Sequence, residues 1–271
     1  MRRLWTCPRV HAWCGALVAG LLGLCLGCGG EKREQVSVIG STSVQPFAEM
    51  LAEEFNKQNP GIRVDVQGGG STAGIQAVSS GLADIGSCSR TLKPEETGFT
   101  TTTIARDGIA VIVHPTSKVS ALTREQIRSI FMGSITRWSD VGGADKAIRV
   151  ITREEGSGTR EAFTHLVMRD ARIAATALTQ ESNGAVRELV KNDPDAIGYM
   201  SLGLVQGVKD VQVDGVAPTV AEVVAGRYPL VRPFLFIVKG TPSEAAEKFI
   251  DFVLSAPAQQ KLEEKGLVRA K

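Results

Sequence analysis

The octapeptide Arg153-Glu154-Glu155-Gly156-Ser157-Gly158-Thr159-Arg160 carries the densest chemistry in the chain. Ser157 and Thr159 supply short hydroxyl donors, and the guanidinium of Arg153 offers a fork of N–H groups matched to an oxyanion. Before it, Ile148-Arg149-Val150-Ile151 reads as a strand; after it, Phe163, Leu166 and Val167 fall at helical spacing. The turn therefore opens a helix, where unpaired backbone N–H groups and the dipole both favour negative charge. That set of groups suits the capture of a small tetrahedral anion. An ordinary helix cap with flanking surface charges has the same local composition, so this segment alone leaves both readings open.

Two further segments repeat the design. Val36-Ser37-Val38-Ile39 reads as a strand running into Gly40-Ser41-Thr42-Ser43, and Pro46-Phe47 then opens a helix toward Phe55. Proline is favoured at a helix start because its missing N–H would have had no partner there. Ile62-Arg63-Val64-Asp65-Val66 runs in the same way into Gly68-Gly69-Gly70-Ser71-Thr72-Ala73-Gly74 and a helix through Val78. Glycine lets the backbone approach a ligand without a side chain in the way. One hydroxyl-rich turn between strand and helix is a cap; three in one chain suggest one convergent site.

The elements that must position these turns alternate along the chain. Ala83-Asp84-Ile85-Gly86, Ile109-Ala110-Val111-Ile112-Val113, Ala196-Ile197-Gly198-Tyr199-Met200 and Pro233-Phe234-Leu235-Phe236-Ile237-Val238 read as strands. Thr123 with Gln126 predicts a capping box, and an amphipathic helix is expected from Ser243 to about Leu254. Such alternation argues for an α/β fold with mostly parallel sheets, and the 236 residues from Val36 onward suffice for two lobes with separate cores.

The N-terminus reads as an export signal. Arg2, Arg3 and Arg9 precede an apolar stretch from Ala12 to Leu24, which is too short and one-sided for a stable span. It ends in Leu24-Cys25-Leu26-Gly27-Cys28-Gly29-Gly30, which resembles a bacterial lipobox; cleavage after Gly27 would leave Cys28 as the lipidated first residue. Residues 28–35 would be a polar tether. Of 31 basic residues, three leave with the signal, so 28 face 29 acids, a net charge of about −1 with histidines neutral. No basic stripe with interleaved aromatics remains, which argues against nucleic acid as a partner. Once Cys7, Cys14 and Cys25 are removed and Cys28 is lipidated, only Cys88 is left. It is expected to be a small buried apolar residue, with neither an internal disulfide nor a Cys/His metal cluster.

Several motifs occur together and in order: Gly40 to Val44, Gly68 to Ile75, Gly81-Leu82-Ala83-Asp84-Ile85-Gly86 with Ser89-Arg90, Arg106-Asp107-Gly108-Ile109-Ala110-Val111, Arg153 to Arg160, and Ala196 to Tyr199. In these the chain resembles the phosphate-binding components of high-affinity phosphate ABC importers, over almost all of the exported region. The resemblance implies a two-lobed type II periplasmic-binding-protein fold, each lobe a mostly parallel sheet flanked by helices. Its two hinge crossings are expected near Val111–Pro115 and Tyr199–Gly203. Residues 36–112 with 203–271 would then form lobe one, and 113–202 lobe two.

It further implies that Ser41, Thr42, Ser43 and Ser71 contact inorganic phosphate from lobe one, Thr42 chiefly through its amide. Arg153, Ser157, Gly158 and Thr159 would close from lobe two, Glu155 would orient the guanidinium, and Ser182-Asn183-Gly184 would add a weaker contact. Asp84 would face the ligand and accept the proton that phosphate still carries. Sulfate has no such proton, and a polar mismatch of that kind can discriminate by ~10⁴–10⁵. The implied partners are a membrane permease and its ATPase, reached by a monomeric, lipid-anchored receptor outside the cytoplasm, without cofactor or metal. A secreted oxyanion sensor or scavenger on the same fold is the alternative.

An enzyme fits less well. Gly68 to Ala73 loosely matches a dinucleotide loop, but no strand ending in an acidic residue follows about 20 positions on. A serine hydrolase or phosphatase needs a base or metal ligands, and beyond the signal only His114 and His165 are available.

Overall fold

The computed structural model describes residues 33–169 and 171–270. The expected signal, residues 1–27, and Cys28 lie outside the described residues. Among those described, no helix is long and apolar enough to cross a membrane. The expected tether ends early, because Glu34 and Gln35 already pair with Ile62 and Arg63 in the first sheet.

Lobe one is built around two of the three hydroxyl turns. Strand Glu34–Gly40 leads into helix Gln45–Gln58, strand Ile62–Gly68 into helix Ser71–Ser79, and strand Ile85–Cys88 lies on the other side of the first. These three strands are parallel, as strands joined through crossover helices must be. Helix Gln45–Gln58 starts with proline in its first turn and buries Phe47, Leu51 and Phe55. Phe55 packs edge-on to Phe249 of helix Glu244–Leu254, whose N-cap is Ser243.

One 15-residue strand, Phe99–Val113, serves both lobes. Its first part runs antiparallel to Val231–Lys239, and Ile109–Val113 runs antiparallel to Ile197–Ser201. Beyond, strand Ala196–Ser201 pairs in parallel with Arg149–Arg153, which pairs in parallel with Leu178–Gln180. The strands of both lobes therefore form one continuous mixed sheet, not a mostly parallel sheet in each lobe. The parallel pairs are bridged by helices, and the antiparallel ones carry the chain across the hinge. Thr123 caps helix Arg124–Met132 with the full capping box that Gln126 predicts.

Two cores follow. Val36, Val38, Leu51, Phe234, Phe236 and Phe249 anchor the first; Ile109–Val113, Phe131, Phe163 and Tyr199 anchor the second. The expected crossing at Tyr199–Gly203 needs correction. Val211, Val213, Val223, Tyr228 and Leu230 pack in the second core, and the Tyr228 hydroxyl donates to the Ile109 carbonyl at 2.7 Å. The reason is pairing: Lys209–Asp210 joins Ile112–Val113, and Gln212–Val213 joins Ala121–Leu122, which holds this segment on lobe two. The first crossing also moves: by packing, the chain changes core at Asp107–Ile109, ahead of the expected Val111–Pro115, because Ile109–Val113 pack in the second core, and it changes again at Leu230–Arg232, where Arg232 lies opposite Asp107 in register.

Candidate functional site

The three hydroxyl turns lie at the carboxyl ends of their strands, the edge at which open α/β sheets receive ligands. Ser41, Ser43, Ser71, Ser157 and Thr159 are all buried there, together with Arg153. The lobes meet through them: Ser43 Oγ is 2.8 Å from Thr159 Oγ1, Arg153 Nη2 donates to Thr42 Oγ1 at 3.0 Å, and the Thr72 amide donates to the Gly156 carbonyl. Glu161 adds a charged link, pairing with Arg90 and Lys93 of lobe one.

Gly158 is set by close approach. A Cβ at this position would lie 2.1 Å from Ser71 Oγ and 2.6 Å from Ser89 Oγ, so any side chain would hold the turns apart. Gly70, at φ 93, caps the Ser71 helix in backbone that other residues rarely adopt.

Arg153 ends its strand with its side chain 1 % exposed. Its Nε and Nη2 donate to Glu154, and further bonds reach the carbonyls of Gln180 and Glu181. Nη1 is buried without a hydrogen-bond partner in the protein. A buried cationic donor left over at a cluster of hydroxyls points to an anionic ligand. The strand beneath is held by Tyr199, whose hydroxyl lies 2.8 Å from Thr152 Oγ1 and accepts from the Arg153 amide. Phe163 stacks on the Tyr199 ring at 4.0 Å. Burial pushes the Tyr199 phenol up to about 12, so it stays a neutral hydrogen-bonding group.

The PBP superfamily domain matches residues 29–257. The chain belongs to that superfamily. Within it, the PstS phosphate-binding protein of Bacillus subtilis strain 168 is 30 % identical over 242 residues, covering 86 % of this chain and 80 % of the relative. A solved Clostridium perfringens structure, described as a phosphate ABC transporter substrate-binding protein with bound phosphate, superposes with TM-score 0.85 at 38 % identity. It covers 88 % of this chain and 100 % of that one. A phosphate transport receptor from Vibrio cholerae gives TM-score 0.73 at 39 % identity, covering 86 % and 99 %.

Two expectations for this PBP-superfamily site are corrected. Asp84 is exposed and lies at the opposite end of the sheet, where its carboxylate accepts from the Ser37 amide and hydroxyl. It precedes strand Ile85–Cys88, whereas the cleft follows it; five residues of extended chain to Ser89 span about 16 Å. Glu155 is also exposed, and Glu154 holds the guanidinium instead. The side chain one position earlier lies level with Arg153 because the turn has not yet begun.

Reading the sequence missed three groups and underrated a fourth. Arg232 and Asp107, paired at 2.8 Å and 1 % and 0 % exposed, form the floor of the cleft at the hinge. Burial raises the Asp107 carboxyl and lowers the Arg232 guanidinium, each opposed by the charge of the other. The bonds to Asp107 from Arg232 and the Ser201 hydroxyl favour its charged form and so oppose the effect of burial. From this floor Arg232 reaches Thr159 Oγ1, Ser43 Oγ and Ser89 Oγ. Ser89 lies 3.4 Å from Ser71, and Asn183, expected only as a weaker contact, donates to Ser43 and Thr42. The available signal was Arg232, a lone charge between Leu230-Val231 and Pro233-Phe234, since a buried charge needs a partner.

Cys88 is buried, as expected, and desolvation pushes its thiol up. His114 bonds Thr116, and His165 is exposed. Among the described residues no group of His, Cys, Asp and Glu is placed to hold a metal.

Proposed function

We propose that this protein binds inorganic phosphate between its two lobes and delivers it to an ABC-type phosphate permease. The observation that carries the reading is the buried Arg153 Nη1, without a protein partner, amid hydroxyls supplied by both lobes. Membership in the PBP superfamily and likeness to PstS proteins support it. Ser41, Thr42, Ser43 and Ser71 serve from lobe one, and Arg153, Ser157, Gly158 and Thr159 from lobe two, with Ser89 and Asn183 added. Because the contacts come from both sides, the ligand favours the closed form over the open one, and phosphate shifts a hinge equilibrium.

The receptor acts outside the cytoplasm as a monomer. Lipid on Cys28 would keep it near the permease; one acyl chain holds a protein to a membrane only marginally, so several chains on that cysteine would be needed. Titration calorimetry with phosphate tests the reading, with sulfate as comparison and a chromogenic phosphate ester as control for hydrolysis. Saturable phosphate binding without turnover is expected. Sulfate binding tighter than phosphate binding, or ester hydrolysis, would sink it.

A further inference from the structure

Glu161 stands two positions after Thr159, on helix Gly158–Phe163 of lobe two, yet its carboxylate is spent on the other lobe. Oε2 lies 2.9 Å from Lys93 Nζ and 3.0 Å from Arg90 Nε, and Oε1 accepts from the Thr72 hydroxyl at 3.3 Å. All three partners belong to lobe one. Arg90 Nε is buried and not aligned for a hydrogen bond, so its contact with Glu161 is one of charge. Of the cations beside Glu161 on its own lobe, Arg160 donates to the Arg153 carbonyl, and His165, four positions on, is exposed. Glu161, Arg90, Lys93 and the Thr72 hydroxyl all lie outside the set of groups assigned to phosphate.

The receiving side is built in advance. The Arg90 side chain is 4 % exposed, and Nη1 and Nη2 donate to the two oxygens of Glu96. Nη1 also donates to the Thr91 carbonyl. The same Glu96 accepts from the Lys93 amide at 2.8 Å. Glu96 thereby folds residues 90–96 into one bonded loop that carries both cations to the gap between the lobes. These bonds lie inside lobe one, so opening leaves them intact. What opening breaks is the contact of Glu161 with Arg90, Lys93 and Thr72.

Resting on the phosphate reading above, we propose that Glu161 is a latch, a positioning residue that holds the lobes closed without touching the ligand. It raises the share of protein in the closed, binding-competent form, and apparent affinity scales with that share. It also adds a contact that must break before phosphate leaves, so its effect falls on the rate of release. The sign of the effect separates a latch from simple electrostatics. A carboxylate two residues from Thr159 repels an anion in the cleft, so by field alone its neutralisation tightens phosphate binding. Neutralising a latch weakens it.

Calorimetry and stopped-flow release of inorganic phosphate from the purified protein test this. Glu161→Gln keeps the shape and loses the charge. Its phosphate dissociation constant should rise about tenfold, mostly through faster release. Lys93→Gln, at a side chain 44 % exposed, should cost only roughly two- to fivefold. Added to Glu161→Gln it should cost nothing more, because its partner charge is already gone. Denaturant unfolding without phosphate should be unchanged in both variants, since the open form lacks the contact. Unchanged or tighter phosphate binding by Glu161→Gln, or a full further loss in the double variant, overturns the latch while phosphate binding stands. An equal loss of stability without phosphate, or failure to fold, overturns it too and makes Glu161 a structural residue. No phosphate binding by the parent protein overturns the underlying reading instead.

Discussion

Arg153 and Arg232 present the same chemistry to one cleft and use it differently. Arg153 pairs with its chain neighbour Glu154, whose side chain is 26 % exposed, and keeps one buried nitrogen unpaired. Arg232 pairs with Asp107, 125 positions away, and spends its donors on that carboxylate and on hydroxyls of both lobes. A buried ion pair with all its bonds made fixes geometry and is costly to break. A guanidinium with one buried nitrogen left unpaired keeps a donor for a ligand. The first arginine is therefore the one proposed to bind, and the second is scaffold.

The sharpest way to break this contrast is Asp107→Ala, which leaves Arg232 buried and unpaired. Denaturant unfolding should show a loss of about 3–5 kcal/mol; a change within error would remove Arg232 from the scaffold. Arg153→Ala should do the reverse, weakening phosphate and sulfate alike by roughly 100-fold in calorimetry while stability falls far less. Equal losses in both measurements would erase the distinction. Glu154→Gln, which loosens the binding arginine, should cost about tenfold in affinity, against less than about twofold for Glu155→Gln. The smallest effect belongs to Asp84→Asn. It should lower stability by about 1 kcal/mol through its bonds to Ser37 and leave the ratio of phosphate to sulfate affinity unchanged.

The fold was largely legible. The strand-to-helix turns at Gly40, Gly68 and Arg153 stand where glycine, hydroxyl and helical spacing placed them. These are local signals, carried by residues a few positions apart. The second hinge crossing was not legible, because the apolar residues from Val211 to Leu230 suit either core, and short strand pairings decide which one they join. At the site, motif positions found the hydroxyls and Arg153. They failed for Asp84, which differs from a cleft carboxylate only by standing before its strand instead of after it.

By itself, the sequence determined which segments open helices with exposed amides and hydroxyls, and hence that an oxyanion is the natural ligand, because capping and backbone geometry are short-range. Only the tertiary structure decided that Arg232 lies opposite Asp107 at the hinge and reaches Ser43, Ser89 and Thr159. Strand register joins positions far apart in the chain, and a hydroxyl's direction depends on donors that arrive from other strands.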